Sequence, residues 1–284
     1  MTRIAVVGNG LLGSTIGELA PDVTVLSHDD IDITSFSSIR AALDIHRPDV
    51  VINTAALHRL QECEDDPERA FDLNARAADK LARLVPTVYI STDYVYWDGG
   101  PHTEGMPGSQ PRSVYGRSKL AGELATLEHG GIVVRVASLF GHYRSHKGIT
   151  FPEMVLSSHD PLRLPTDQVF SPTYVPDAAE RILMLATALG AGPPMTARAA
   201  KARPTGIYHA TNKGSTSWAE FAEHILALTG HKRHVLPYEA KDRLRPRDSS
   251  LKSTRLPQMR HWMAGLSAWA QREGRQTIVS PLRD

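Results

Sequence analysis

Through the first half of the chain, short β-branched apolar runs alternate with longer stretches whose apolar residues recur at three- and four-residue spacing. The runs at 4–7, 23–26, 50–53, 88–91 and 132–136 predict strands, and the stretches 11–19, 36–45, 67–84 and 115–127 predict the helices between them. Strands that are apolar on both faces and separated by helices imply α/β architecture, a doubly wound parallel sheet with crossover helices. After Gly141 the order loosens. The stretch 190–206 is rich in Ala, Gly and Pro and reads as a linker, followed by a strand at 206–210 and a helix at 217–228. The second half therefore reads as a smaller mixed domain set against the first.

Gly8-Asn9-Gly10-Leu11-Leu12-Gly13 closes the first predicted strand and opens the first predicted helix. Glycines there permit a tight turn and close backbone approach to a pyrophosphate, which the helix N-terminus then meets. This context makes the sheet Rossmann-type and makes Gly8, Gly10, Leu11, Leu12 and Gly13 cofactor-binding candidates. The second strand ends Leu26-Ser27-His28, with no acid to grip a ribose 2′-hydroxyl. A hydroxyl and an imidazole suit a 2′-phosphate better, so Ser27 and His28 favour NADPH, with NADH left open.

Composition narrows the partners. With 41% hydrophobic and 22% charged residues, the 284-residue chain has enough apolar material for a real core. Its net charge of +1 is too even for a nucleic-acid or acidic-membrane binder. That balance hides an asymmetry: residues 1–100 carry 8 basic against 16 acidic side chains, whereas residues 231–260 carry 9 against 3. The carboxy-terminal part is thus suited to a small anion. The longest apolar stretch, 182–192, falls well short of the ~18–20 residues of a membrane span. Cys63 is the only cysteine, and the first residues run straight into a strand without a cleavage signal, so a cytoplasmic location is expected.

Tyr115-Gly116-Arg117-Ser118-Lys119 places a phenol and an ammonium four residues apart on one helix face. A neighbouring ammonium favours the phenolate, and a tyrosine so tuned can exchange a proton with a carbonyl or alcohol oxygen. Ser91-Thr92-Asp93-Tyr94 stands at the end of the fourth predicted strand, where ligands of open α/β sheets sit, and Thr92 can reach the same oxygen as Tyr115. Thr92, Tyr115 and Lys119 are the catalytic candidates.

With these residues the chain resembles the extended short-chain dehydrogenase/reductases, and among them the dTDP-4-dehydrorhamnose reductase family. The resemblance runs through the glycine loop, Asp32-Ile33-Thr34, the segment Pro48 to Ala56, Cys63-Glu64, Ala70-Phe71 before Asn74, Ser91 to Val95 and Val114 to Glu123. It continues through Ser171 to Asp177, Gly206 to Ala210, Ser217-Trp218 and Arg245-Pro246. It implies a dinucleotide-binding domain at 1–141 with a return segment near 166–190, and a mainly substrate-binding domain at 142–284. It also implies NADPH-dependent reduction of the 4-keto group of a nucleotide-linked 4-keto-6-deoxy sugar. In that reading Tyr115 gives the proton, Lys119 binds the nicotinamide ribose, and Thr92 orients the oxygen. Asp32 and Ile33 flank adenine, Ala55 and Ala56 line the cofactor trench, and Asp93, Tyr94, Ser138 and Arg245 meet the substrate. A homodimer is compatible with it.

Some positions depart from the family pattern. The glycine loop is one residue shorter than usual, and Arg135-Val136-Ala137-Ser138 lacks an aromatic that would wall the sugar site. Leu57-His58-Arg59-Leu60-Gln61 replaces a Tyr-Thr and an acid, and Trp97 is a candidate for the missing wall. Thr92-Asp93-Tyr94 carries no glutamate to serve as the second acid/base of a sugar dehydratase. A dehydratase or epimerase, and a non-catalytic regulatory subunit of the same fold, stand as the alternatives. His142 and His146 have a metal-compatible spacing but no third ligand, so no metal is expected. Arg245 and Arg247 are candidates for diphosphate contacts, and Trp262 and Trp269 for packing.

Overall fold

Six parallel strands form one sheet in the spatial order Gly206–His209, Ile132–Val136, Thr87–Thr92, Val50–Asn53, Ile4–Val7 and Thr24–Leu26. The computed structural model describes residues 2–108, 110–141, 149–159, 161–191, 204–242 and 244–272. His142, His146 and most of the 190–206 stretch lie outside the described residues.

The continuous apolar runs follow from burial of both sheet faces. On one face Ile4, Val6, Ile52 and Val134 pack under helices Leu11–Leu19 and Val175–Gly190 through Leu12, Ile16, Ile182 and Leu185. Successive side chains alternate sides. Ala5, Val7 and Val51 therefore face Ile39, Ala77 and Leu81 on the other side, from helices Phe36–His46 and Ala77–Leu84. Helix Val114–Glu128 completes that side. Its start is set by Ser113, whose hydroxyl accepts the Gly116 N–H at 3.1 Å, a cap worth about 1 kcal/mol.

The predicted strand at 206–210 belongs to the main sheet and not to a separate second-half layer, pairing Tyr208 with Val134. Pattern alone could not choose its neighbour, because the pairing spans some seventy residues. Arg255 covers its outer edge by donating to the carbonyls of Thr205 and Ile207 at 2.7 and 2.8 Å.

A second core lies in the carboxy-terminal part, where Phe140, Phe170, Tyr174 and Phe221 pack with Trp262 and Trp269. The two tryptophans are buried packing residues, as their pattern predicted. Helix Trp218–Thr229 is framed by a Ser217–Glu220 capping box and by Gly230 at φ 70°, the left-handed stop that favours glycine. No helix among the described residues is long and apolar enough to cross a membrane.

Candidate active site

From Ile4–Val7 the chain first adds Thr24–Leu26 on one side and then Val50–Asn53 on the other, so the strand order reverses at the first strand. The carboxyl ends of strands diverge at such a switch point and leave a crevice. Here a cleft of about 810 Å3 runs along those ends.

The glycine loop forms its upper wall. Gly8 holds φ 105°, donates to the Leu26 carbonyl at 2.9 Å, and lies so close to Thr54 that a Cβ would come within 2.7 Å of its hydroxyl. A Cβ on Gly13 would collide with the Gly8 carbonyl oxygen, whereas one on Gly10 would meet nothing within 4 Å. The first two glycines named let strand and helix close on each other, and Gly10 keeps the approach open. Helix Leu11–Leu19 begins without a side-chain cap and without an acid in its first turn. Its leading N–H groups and dipole therefore suit a pyrophosphate.

The floor is built from the strand Thr87–Thr92 and the helix Val114–Glu128. Lys119 is only 2% exposed; its Nζ donates to the Ile90 carbonyl at 2.6 Å and stands 4.0 Å from the Tyr89 ring centre. Burial pushes its ammonium down to about 7, against the pull of the Glu123 carboxylate. The Tyr115 phenol is pushed well above its ordinary value by burial, with its hydrogen bond to Thr92 acting the other way. The expected downward tuning of Tyr115 by Lys119 is thus not a property of the free protein: low polarity governs both groups, and the ammonium is turned toward Ile90. A phenol held protonated is a proton donor in waiting.

Thr92 links Tyr115 to Asp93. Its hydroxyl donates to Asp93 Oδ1 at 3.1 Å, and Ser249 donates to Asp93 Oδ2 at 2.5 Å. Asp93 is 3% exposed, and burial raises its carboxyl to about 6 despite these bonds. The rings of Tyr94 and Tyr115 meet edge-on at 5.9 Å, and Arg245 donates to the Tyr94 hydroxyl at 3.0 Å. Burial raises Tyr94 to about 12, with Arg245 opposing it.

Gly10, Leu11, Leu12, Gly13, Ala56, Thr92, Asp93, Tyr94, Tyr115, Lys119, Ser138 and Arg245 all line this cleft. Other candidates lie elsewhere. Gly8 sits beneath the loop, and Ala55 packs against the sheet face opposite. Ser27 spends its hydroxyl on Asp30 Oδ2 at 2.7 Å, and His28 is exposed. Asp32 closes a local turn by accepting the Thr34 N–H at 2.9 Å, and Ile33 is buried in the core. Trp97 does not line the cleft but stacks under Arg112 at 4.3 Å, and Arg247 is exposed outside it. Tyr94, Leu139 and Leu244 supply the apolar wall instead.

Sequence reasoning missed several features. His58 and Gln61 reach the cleft rim, as does Asp242, which pairs with Arg245 at 3.3 Å. The departure at 57–61 was the signal for the first two; nothing local marked Asp242. Beneath the floor, Glu123 accepts from Ser91 at 2.5 Å and from Arg135 Nε at 2.8 Å, and both charged side chains are 1% exposed. Asn74, in a π-helical segment Asp72–Arg76, donates to Ser118 at 2.9 Å and exchanges hydrogen bonds with the Leu57 backbone. It thereby ties the catalytic helix to the cleft rim.

The family model described as RmlD substrate binding domain matches residues 2–275. The chain belongs to the dTDP-4-dehydrorhamnose reductase family. It is 34% identical to the dTDP-4-dehydrorhamnose reductase of Streptomyces griseus over 91% of this chain and 90% of that one. It is 30% identical to the dTDP-4-keto-6-deoxy-D-glucose reductase of Streptomyces niveus over 92% and 91% of the two chains. The crystal structure of dTDP-4-dehydrorhamnose reductase from Bacillus anthracis in complex with NADP is similar at TM-score 0.84 and 29% identity, covering 95% of this chain and 99% of that one. The one-residue-shorter glycine loop and the altered 57–61 segment are therefore variations within the family. Among the described residues no group of three or more His, Cys, Asp or Glu side chains is arranged to hold a metal ion.

Proposed function

We propose that this protein is an NADPH-dependent reductase of a nucleotide-linked 4-keto-6-deoxy sugar. The observation that carries the reading is the convergence of Thr92, Tyr115 and Lys119 on one cleft whose other wall is the uncapped helix after Gly10. The cofactor fits that wall: Gly10 leaves open space, and the leading N–H groups of helix Leu11–Leu19 suit the pyrophosphate. When bound, NADPH supplies hydride to the sugar C4. Tyr115, kept protonated by burial, gives its proton to the keto oxygen as charge develops there. Thr92 orients that oxygen. Lys119 holds the nicotinamide ribose.

Arg245 and Tyr94 take the diphosphate and sugar, since a guanidinium fixed by a tyrosine hydroxyl is preset for phosphate oxygens. Asp93, which lines the cleft beside Thr92, meets the substrate there. Residues 1–141, with the return helix Val175–Gly190 and the strand Gly206–His209, form the dinucleotide-binding part. The second aromatic core organises the substrate-binding part. Ser27 and His28 remain the residues nearest in chain to the adenosine end, and the NADP complex of the Bacillus anthracis relative supports the 2′-phosphorylated cofactor. A cytoplasmic homodimer completes the reading, its assembly state to be read by light scattering.

Freshly prepared dTDP-4-keto-6-deoxy sugar mixed with NADPH and the protein should consume the nicotinamide absorbance. Absence of consumption with several such sugars would leave the protein a cofactor-binding regulator instead.

A further inference from the structure

A second cavity, of about 390 Å3, shares no lining residue with the cleft. It opens past the carboxyl end of the edge strand Gly206–His209, where open sheets commonly receive ligands. Lys213, Lys252 and His261 line it together with the amide of Gln258, and no acidic side chain does. Neither lysine has an ion-pair partner among the described residues. Carboxylates stand one residue behind the lining and are already engaged: Asp248 with Ser250 at 2.7 Å, Glu104 with Ser253 and Thr254 at 2.9 and 2.8 Å, and Asp177 with Asn212 and Arg260, both at 2.7 Å.

Two further observations make this more than a basic surface. Thr211 is 4% exposed and lines the cavity, yet its hydroxyl makes no hydrogen bond among the described residues and is not sealed from solvent. That hydroxyl is therefore available to whatever enters the cavity, ligand or water. Gly214, at φ 95°, lets the His261 ring lie against the backbone, where a Cβ would come within 2.5 Å of Nε2. The Met263 N–H donates to His261 Nδ1 at 3.3 Å, which fixes the ring. With Nδ1 accepting, Nε2 carries the proton of the neutral ring, and the ring is part of the cavity lining.

We propose that this cavity binds a small phosphate monoester, with the phosphate between Lys213, Lys252 and His261 and the Thr211 hydroxyl completing its coordination. Lysine ammonium groups serve phosphate as point charges, and no acidic side chain lines the cavity to compete for them. The volume exceeds that of a bare phosphate, so the organic part of a monoester has room beside Ser250 and Gln258. Of the basic side chains in 231–260, Arg245 lines the cleft and Lys252 lines this cavity.

The test is calorimetric titration of the full chain, saturated with NADPH, using glucose 6-phosphate, inorganic phosphate and glucose. Both phosphates should bind saturably at one site with dissociation constants in the millimolar range or below, the ester more tightly, and glucose should give no heat. The double variant K213A/K252A should weaken glucose 6-phosphate at least about tenfold, and Thr211→Val a few-fold. Neither should change NADPH consumption in the absence of the ester, and Arg245→Ala should leave ester binding as it was. No saturable binding, equal binding by the double variant, or loss of binding in Arg245→Ala would overturn the proposal. The lysines are exposed, so their replacement leaves the fold intact.

Discussion

The Thr92 hydroxyl donates to Asp93 Oδ1 at 3.1 Å, so a hydroxyl that lines the cleft with Tyr115 is itself coupled to a buried carboxyl. Phenol, hydroxyl and carboxyl are neighbours on the cleft floor.

Removing the first link should separate chemistry from binding. Tyr115→Phe keeps the ring and its edge contact with Tyr94 but loses the proton donor. Turnover should fall by about 10²–10⁴-fold, while NADPH affinity from fluorescence titration stays near that of the parent. Near-normal turnover in this variant would remove Tyr115 from its assigned role.

Asp93 should leave a mark on stability against pH. Its folded value of about 6 lies above the ordinary 3.8, so protonation is favoured by folding. The resulting stability is fully present below pH ~4 and is lost as pH rises through about 6, a change of about 3 kcal/mol. Urea unfolding between pH 4 and 7 should show Asp93→Asn losing less stability than the parent over that window. Parallel curves for the two proteins would mean that Asp93 is solvated.

Lys119 carries the opposite sign. Its folded value of about 7 lies below the ordinary 10.5, so the neutral amine's contribution is complete only above pH ~10.5 and shrinks as pH falls toward 7. Lys119→Met, which fills the same space without a charge, should raise the thermal midpoint at pH 7 while weakening NADPH and abolishing turnover. A lowered midpoint would show that the bond to Ile90 outweighs the burial penalty.

The pair under the floor should behave as a unit. Glu123→Gln leaves Arg135 buried with half its partner and should cost about 3–5 kcal/mol in chemical denaturation. Replacing both, as E123L/R135M, should recover most of that loss, because two apolar side chains need no compensation. If the double variant is as unstable as the single one, the network with Ser91 and Tyr96 matters more than the charge pair.

Much was legible locally because it is written in local physics. The apolar runs, the three- and four-residue spacing and the glycine loop each act within a turn or two of chain, so the elements and the Tyr115–Lys119 helix could be read directly. Pattern alone did not show that Ser27 and Asp32 each also serve a local turn, the Ser27 hydroxyl accepting the Asp29 N–H and the Asp32 carboxylate the Thr34 N–H.

The sequence by itself determined the alternation of strands and helices and the family, and it singled out Thr92, Tyr115 and Lys119 as the candidates for the chemistry. Only the tertiary structure decided that the strand Gly206–His209 joins the main sheet, that Asp242 reaches the cleft, and that Lys213, Lys252 and Thr211 line a second cavity. It also decided that Lys119 is pushed down and Tyr115 up. Contacts between distant segments and the dielectric around a buried group depend on how the whole chain packs, and neither leaves a periodic trace along it.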